Sequence, residues 1–154
     1  IFSTWGWLAC APKRLISYDI HDPSKWGGDI QSVYDTAAAY NLNFEFKIAD
    51  VLKIEIEETD LLFIDTDHRY QHLIQELILH SPKVKKYIIM HDTSGFYGHR
   101  EDLPYDHEKR GELKNSPEKY GLWPCVVDFL NDNKEWKLLH RYEDNSGMTI
   151  IERI

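Results

Sequence analysis

The sequence predicts an α/β fold of the doubly wound, Rossmann-like type, built on a mostly parallel sheet with an antiparallel β-hairpin at its C-terminal end. Three observations predict it. Short apolar, strand-like runs alternate with segments of helical spacing. Four of those runs in succession end in or just before an acid, Asp19, Asp50, Asp65 and Asp92. The chain closes on two β-rich runs around Glu143-Asp144-Asn145-Ser146-Gly147, a hairpin signal.

The elements follow in order. Ser3-Thr4 is placed to cap a short helix through Trp5–Ala11, which Pro12 ends. Leu15–Asp19 reads as a short buried strand, and Asp29–Tyr40 as a helix with Ile30, Val33, Tyr34, Ala37 and Ala38 on one face. Phe44–Ala49 alternates like a strand. The next crossover is absent or reduced to a turn, because Asp60–Asp65 is already a compact apolar strand. Tyr70, Leu73, Ile74, Leu77 and Ile78 fall at helical spacing, with Pro82 beyond them, and Tyr87–Met90 is a further strand. Residues 93–120 are rich in Gly, Pro, His and charge and show no period, so they read as a long insertion loop, a kind of segment usually functional or disordered. A helix around Trp123–Leu130 follows, then Trp136–Tyr142 and Met148–Ile154, which a tight hairpin forces to pair antiparallel.

At 154 residues the chain suits one domain spanning 1–154. A net charge of −8 and the lack of a long basic run exclude a phosphate-tracking surface, so nucleic acid is not an expected partner. No apolar run approaches the roughly 20 residues of a membrane span, and none reads as a signal peptide. Cys10 and Cys125 lie in apolar stretches without metal-like spacing and read as buried free thiols. These features fit a cytoplasmic protein. The expected partner is a small molecule, and a homo-oligomer is compatible with the composition.

In an open parallel sheet the carboxyl ends of the strands share one edge, where ligands bind. An Asp after a strand is as often a helix cap or turn residue as a ligand. The set of four, with His68 and His91 beside two of them, favours a ligand site. His68 lies three residues past Asp65 and is the candidate general base, since imidazole titrates near working pH; the bland alternative is a cap of the following helix. His72 and His80 read as solvent-facing, and His21 as a turn residue or a cofactor neighbour. Gly95–Arg100 combines mobile glycines with stacking aromatics, as a substrate lid or an ordinary surface loop would. Trp5, Trp7, Trp26 and Trp123 read as core or pocket wall.

The run Asp60-Leu-Leu-Phe-Ile-Asp65-Thr-Asp67-His68-Arg-Tyr70 resembles the fourth-strand motif of class I S-adenosylmethionine-dependent methyltransferases, in the cephalosporin hydroxylase-like and sugar O-methyltransferase group. Tyr87–Thr93 resembles the fifth strand of that group, Leu15–Asp19 the second, and Asn145–Glu152 the closing strand. The resemblance implies S-adenosylmethionine as cofactor. Asp19 would accept from the two ribose hydroxyls, Asp50 would meet the adenine amino group, and Ser3 and Thr4 would stand where the glycine-rich turn hands over to the first helix. It also implies a divalent metal, Mg²⁺ or Mn²⁺, at Asp65, His91 and Asp92. His91 stands where some relatives have a second acidic ligand, and imidazole prefers ions softer than Mg²⁺, such as Mn²⁺, Fe²⁺ or Zn²⁺.

The family begins with a strand and glycine-rich turn that have no counterpart in this sequence, so the chain is expected to be N-terminally truncated relative to the family. The implied activity is metal-assisted O-methylation of a small molecule such as a sugar or polyketide hydroxyl. The alternatives are a metal-dependent oxidoreductase or hydrolase on the same fold, and a non-catalytic methyltransferase-like binding module.

Overall fold

The computed structural model describes residues 2–99 and 121–154. The chain divides into two compact units, Ile1–Ile54 and Glu55–Ile154. Each is a layered α/β assembly.

In the first unit, α1 (Phe2–Ala9) leads to β1 (Arg14–Asp19), α2 (Ile30–Ala39) and β2 (Asn43–Ile48). β1 and β2 pair in parallel, with Asp19 opposite Ile48. Parallel neighbours need a crossover, and α2 supplies it. Asp29 caps α2 by accepting from the Ser32 amide at 3.0 Å. Val33 and Ala37, one turn apart, face the sheet and bury with Leu8 and Phe44; Ala38, expected on the same face, is exposed. The helix at the N-terminus begins earlier than expected. Ser3 and Thr4 lie inside α1, not at its cap, and Ala11 leaves the helix at a positive φ of 49°. After β2, the crossover is a three-residue 3₁₀ turn, Val51–Lys53, as the short spacing predicts.

The second unit runs β3 (Thr59–Ile64), α3 (Tyr70–His80), β4 (Val84–His91), α4 (Gly95–His99), α5 (Leu122–Asp132), β5 (Trp136–Tyr142) and β6 (Met148–Arg153). Its sheet has the order β3-β4-β6-β5. β3 and β4 are parallel, joined by α3, whereas β6 runs antiparallel to both β4 and β5. Leu73 and Leu77 from α3, and Cys125, Val126 and Phe129 from α5, pack with Ile88, Met90 and Ile151 into one core. Lys85–Glu58 and Lys86–Asp60 ion pairs, at 2.8 and 3.2 Å, tie the first residues of β4 to the start of β3 and the residue before it.

The fold class is the expected one: a mixed α/β architecture with parallel strand pairs and an antiparallel C-terminal hairpin. Three further details differ. Residues 95–99 form a short helix inside the stretch expected to be a loop; residues 100–120 of that stretch lie outside the described residues. Cys10 is exposed rather than buried, whereas Cys125 is buried. Trp26, expected in a core or pocket wall, is 80% exposed on a 3₁₀ turn that ends at Gly27 (φ 74°). No helix among the described residues is long and apolar enough to cross a membrane.

Candidate functional site

The parallel pairing of β3 and β4 makes the site in the second unit. Ile64 registers with Met90, so the residues that follow, Asp65 and His91-Asp92, come side by side at the carboxyl end of the pair. The turn 65–69 then carries His68 back over that edge. His68 Nε2 lies 2.9 Å from Asp92 Oδ2 and 3.6 Å from Asp65 Oδ1. His91 Nδ1 lies 3.1 Å from Asp92 Oδ2 and 3.5 Å from Asp65 Oδ1. Two imidazoles thus converge on two carboxylates. Asp65, His68 and Asp92 each offer one ligand atom within 4.8 Å of the others. The grouping that the geometry favours for a cation therefore includes His68, where the sequence pointed to His91.

His68 is not a helix cap. The N-cap of α3 is Arg69, and it makes no side-chain capping bond. The His68 ring instead rests against Tyr97 of α4, with ring centroids 4.4 Å apart and planes tilted by 53°. Asp92 is only 8% exposed and sits at a φ of +56°, in the left-handed region that a non-glycine residue adopts at a cost. Hydrogen bonding to His68 holds the Asp65 carboxyl below its ordinary range, with the positive ends of His91 and His68 adding to it against burial.

A second network lies behind the turn. Thr66 Oγ1 donates to Glu76 Oε2, and His72 Nε2 sits 3.4 Å from the same oxygen. On its other side His72 Nδ1 is 4.0 Å from Asp67, which is paired with Arg69. Glu76 is 2% exposed, and burial pushes its carboxyl up to about 7. His72 and His80, expected to face solvent, do not: His72 is held in this network and His80 is buried. Glu76 was missed, although its place between Leu73, Leu77 and His80 on the apolar face of α3 is visible in the spacing.

In the first unit, Asp19 and Asp50 stand at the carboxyl ends of adjacent parallel strands. Asp19 is exposed and accepts from the His21 amide at 2.9 Å, an Asx turn. Asp50 caps the 3₁₀ turn by accepting from the Leu52 amide at 3.1 Å and pairs with Lys53 at 2.8 Å. Both make the local bonds expected of turn residues while remaining at the ligand edge. Thr4 is buried, its Oγ1 3.2 Å from Ser17 Oγ on β1, and Ser3 is half-buried beside it.

No family model matches the chain, and no curated protein sequence matches it. Solved structures do. The chain is similar to magnesium protoporphyrin IX methyltransferase (ChlM) from Synechocystis PCC 6803 with bound SAH, at 14% identity and a TM-score of 0.62, over 96% of this chain and 67% of that one. It is similar to OxaC at 14% identity and a TM-score of 0.55, over 99% of this chain and 40% of that one. It is similar to the N-methyltransferase NodS from Bradyrhizobium japonicum WM9 at 8% identity and a TM-score of 0.50, over 92% and 74% of the two chains. The fold is thus one that methyltransferases use. At these identities the likeness is one of fold.

Proposed function

We propose that the chain is an S-adenosylmethionine-dependent O-methyltransferase of a small molecule such as a sugar or polyketide hydroxyl, assisted by a divalent metal. The observation that carries this is the convergence of His68 and His91 on Asp65 and Asp92, at the carboxyl ends of neighbouring parallel strands in a fold shared with methyltransferases.

Asp19 suits the ribose diol of the methyl donor, since a carboxylate offers two acceptors in one plane. Asp50 takes the adenine amino group, and Ser3 and Thr4 stand towards the methionine part. The acceptor hydroxyl must lose its proton as the methyl group arrives, and His68 is placed to take it. His68 Nε2 lies 2.9 Å from Asp92 Oδ2, so a proton carried on Nε2 would face that carboxylate and leave Nδ1 as the basic nitrogen. The imidazolium that forms is held between Asp92 and Asp65, so the charge develops where two carboxylates already stand. Mixed imidazole and carboxylate donors would fit a first-row divalent ion better than Mg²⁺. Asp65 and Asp92 would hold it with His91 as the third ligand, which leaves His68 as the base, although His68 makes the tighter group with the two carboxylates. Such an ion would lower the pKa of a hydroxyl bound to it.

Replacing His68 with Ala is expected to lower kcat by about 10²–10⁴ while S-adenosylhomocysteine affinity holds. Unchanged turnover in that variant removes His68 from the chemistry. A second reading, a metal-dependent oxidoreductase or hydrolase, draws on the same pair of imidazoles, because two His and a carboxylate are also the ligands of non-haem iron centres. Tightly bound iron without affinity for S-adenosylhomocysteine would select it.

A further inference from the structure

Asp92 is the carboxylate that both imidazoles share, yet it stands on a backbone conformation it would not choose alone. A non-glycine residue in the left-handed region persists only where its surroundings hold it there. Most of the restraints come from the turn between β5 and β6. β4 ends at His91, paired with Met148, so the turn that leads into β6 lies directly beside the exit of β4. The Ser94 amide donates to Ser146 O at 2.7 Å. Thr93 Oγ1 and Thr149 Oγ1 share a buried hydrogen bond of 2.8 Å. Gly147 presses its bare Cα against Ser94: a Cβ there would fall on the Ser94 side chain and within 2.6 Å of its amide nitrogen. On the opposite side the Gly98 amide donates to Ser94 O at 3.0 Å, and a Cβ on Gly98 would collide with the Thr93 carbonyl.

The turn itself is built for this contact. Asn145, Ser146 and Gly147 all have positive φ, at 48°, 69° and 89°, and Gly147 N closes on Asp144 O at 2.9 Å. Positive φ at both central residues marks a type I′ hairpin turn, which matches strand twist. Gly147, the third residue in a row with positive φ, is the one that meets Ser94.

We propose that the β5–β6 turn, through Gly147 and Thr149, is the positioning element that holds Asp92 left-handed and so aims its carboxylate at His68 and His91. This rests on the reading of Asp92 as a site carboxylate. Gly147 and Thr149 touch neither substrate nor cation; they act through residues 93 and 94.

The test uses the full chain and two readouts. NMR scalar couplings at Asp92 report whether its backbone is left-handed, and Mn²⁺ titration followed by electron paramagnetic resonance reports the site. Gly147→Ala is expected to shift the Asp92 couplings out of the left-handed range and to weaken Mn²⁺ about 10–100-fold, the usual loss when a group supporting a ligand is removed. Thr149→Val, which keeps the shape and deletes the partner of Thr93, is expected to do the same more weakly, and it decides the matter if Gly147→Ala does not fold. Ser146→Gly, which keeps the carbonyl that Ser94 uses, is expected to leave both readouts as in the wild type. Left-handed couplings at Asp92 retained in both Gly147→Ala and Thr149→Val overturn the proposal, as do shifted couplings with wild-type Mn²⁺ affinity. Absence of Mn²⁺ uptake by the wild type counts against the metal reading of the site alone, and the couplings then decide the role of the turn.

Discussion

Glu76 shows how a single buried carboxyl shapes the surroundings of the site. It sits on the apolar face of α3 and receives the hydroxyl of Thr66, the residue after Asp65. Burial raises its pKa from 4.5 to about 7. For an acid with a raised folded-state value, the native chain holds a proton that the unfolded chain has lost. Stability from this residue is therefore full below about pH 4.5 and falls as pH rises through 7. Glu76→Gln keeps the hydrogen bond without the charge, and denaturant unfolding should show it more stable than wild type at pH 8, by up to about 3 kcal/mol, with little difference near pH 4. Parallel pH profiles for the two proteins would contradict this account of Glu76.

The strand-end acids were legible one by one, because an Asp after an apolar run marks the carboxyl edge of a strand whatever lies beside it. Their partners were not all legible. That Asp65 meets His91 depends on the register of β3 against β4, and register lies in pairing rather than in local pattern. His72 and His80 were misplaced, and Glu76 missed, for a different reason. A polar residue on a helix is ordinarily solvent-facing, and only the helical phase set by Leu73 and Leu77 argues otherwise.

Among the elements, α2 and α5 announced themselves through helical spacing, and both have the expected identity with ends shifted by a residue or two. α1 did not. A Ser-Thr pair ahead of an apolar run is a common cap, but here both residues continue the helix and Thr4 turns inward to Ser17. Asp29→Ala should fray α2 at its first turn, seen as faster hydrogen exchange at the Ser32 amide that Asp29 receives. Unchanged exchange there would mean that packing of Val33 and Ala37 alone fixes the start of the helix. Phe129 on α5 is fully buried in the core of the second unit. Phe129→Ala should cost about 3–5 kcal/mol in denaturant unfolding, whereas a loss under about 1 kcal/mol would place the stability of this unit outside the α3–α5 core.

For the molecule as a whole, the fold and the site speak to function separately. The fold is shared with methyltransferases and by itself does not choose a reaction. The second unit brings His68 and His91 to Asp65 and Asp92, and the first carries two carboxylates, Asp19 and Asp50, at strand ends. The claim that joins them is that this chain binds the methyl donor. Calorimetric titration of the chain with S-adenosylhomocysteine tests it most directly. The account predicts saturable binding in the micromolar to millimolar range typical of enzyme ligands, weakened by Asp19→Asn and preserved in His68→Ala. Absence of any saturable heat up to about 1 mM would contradict it.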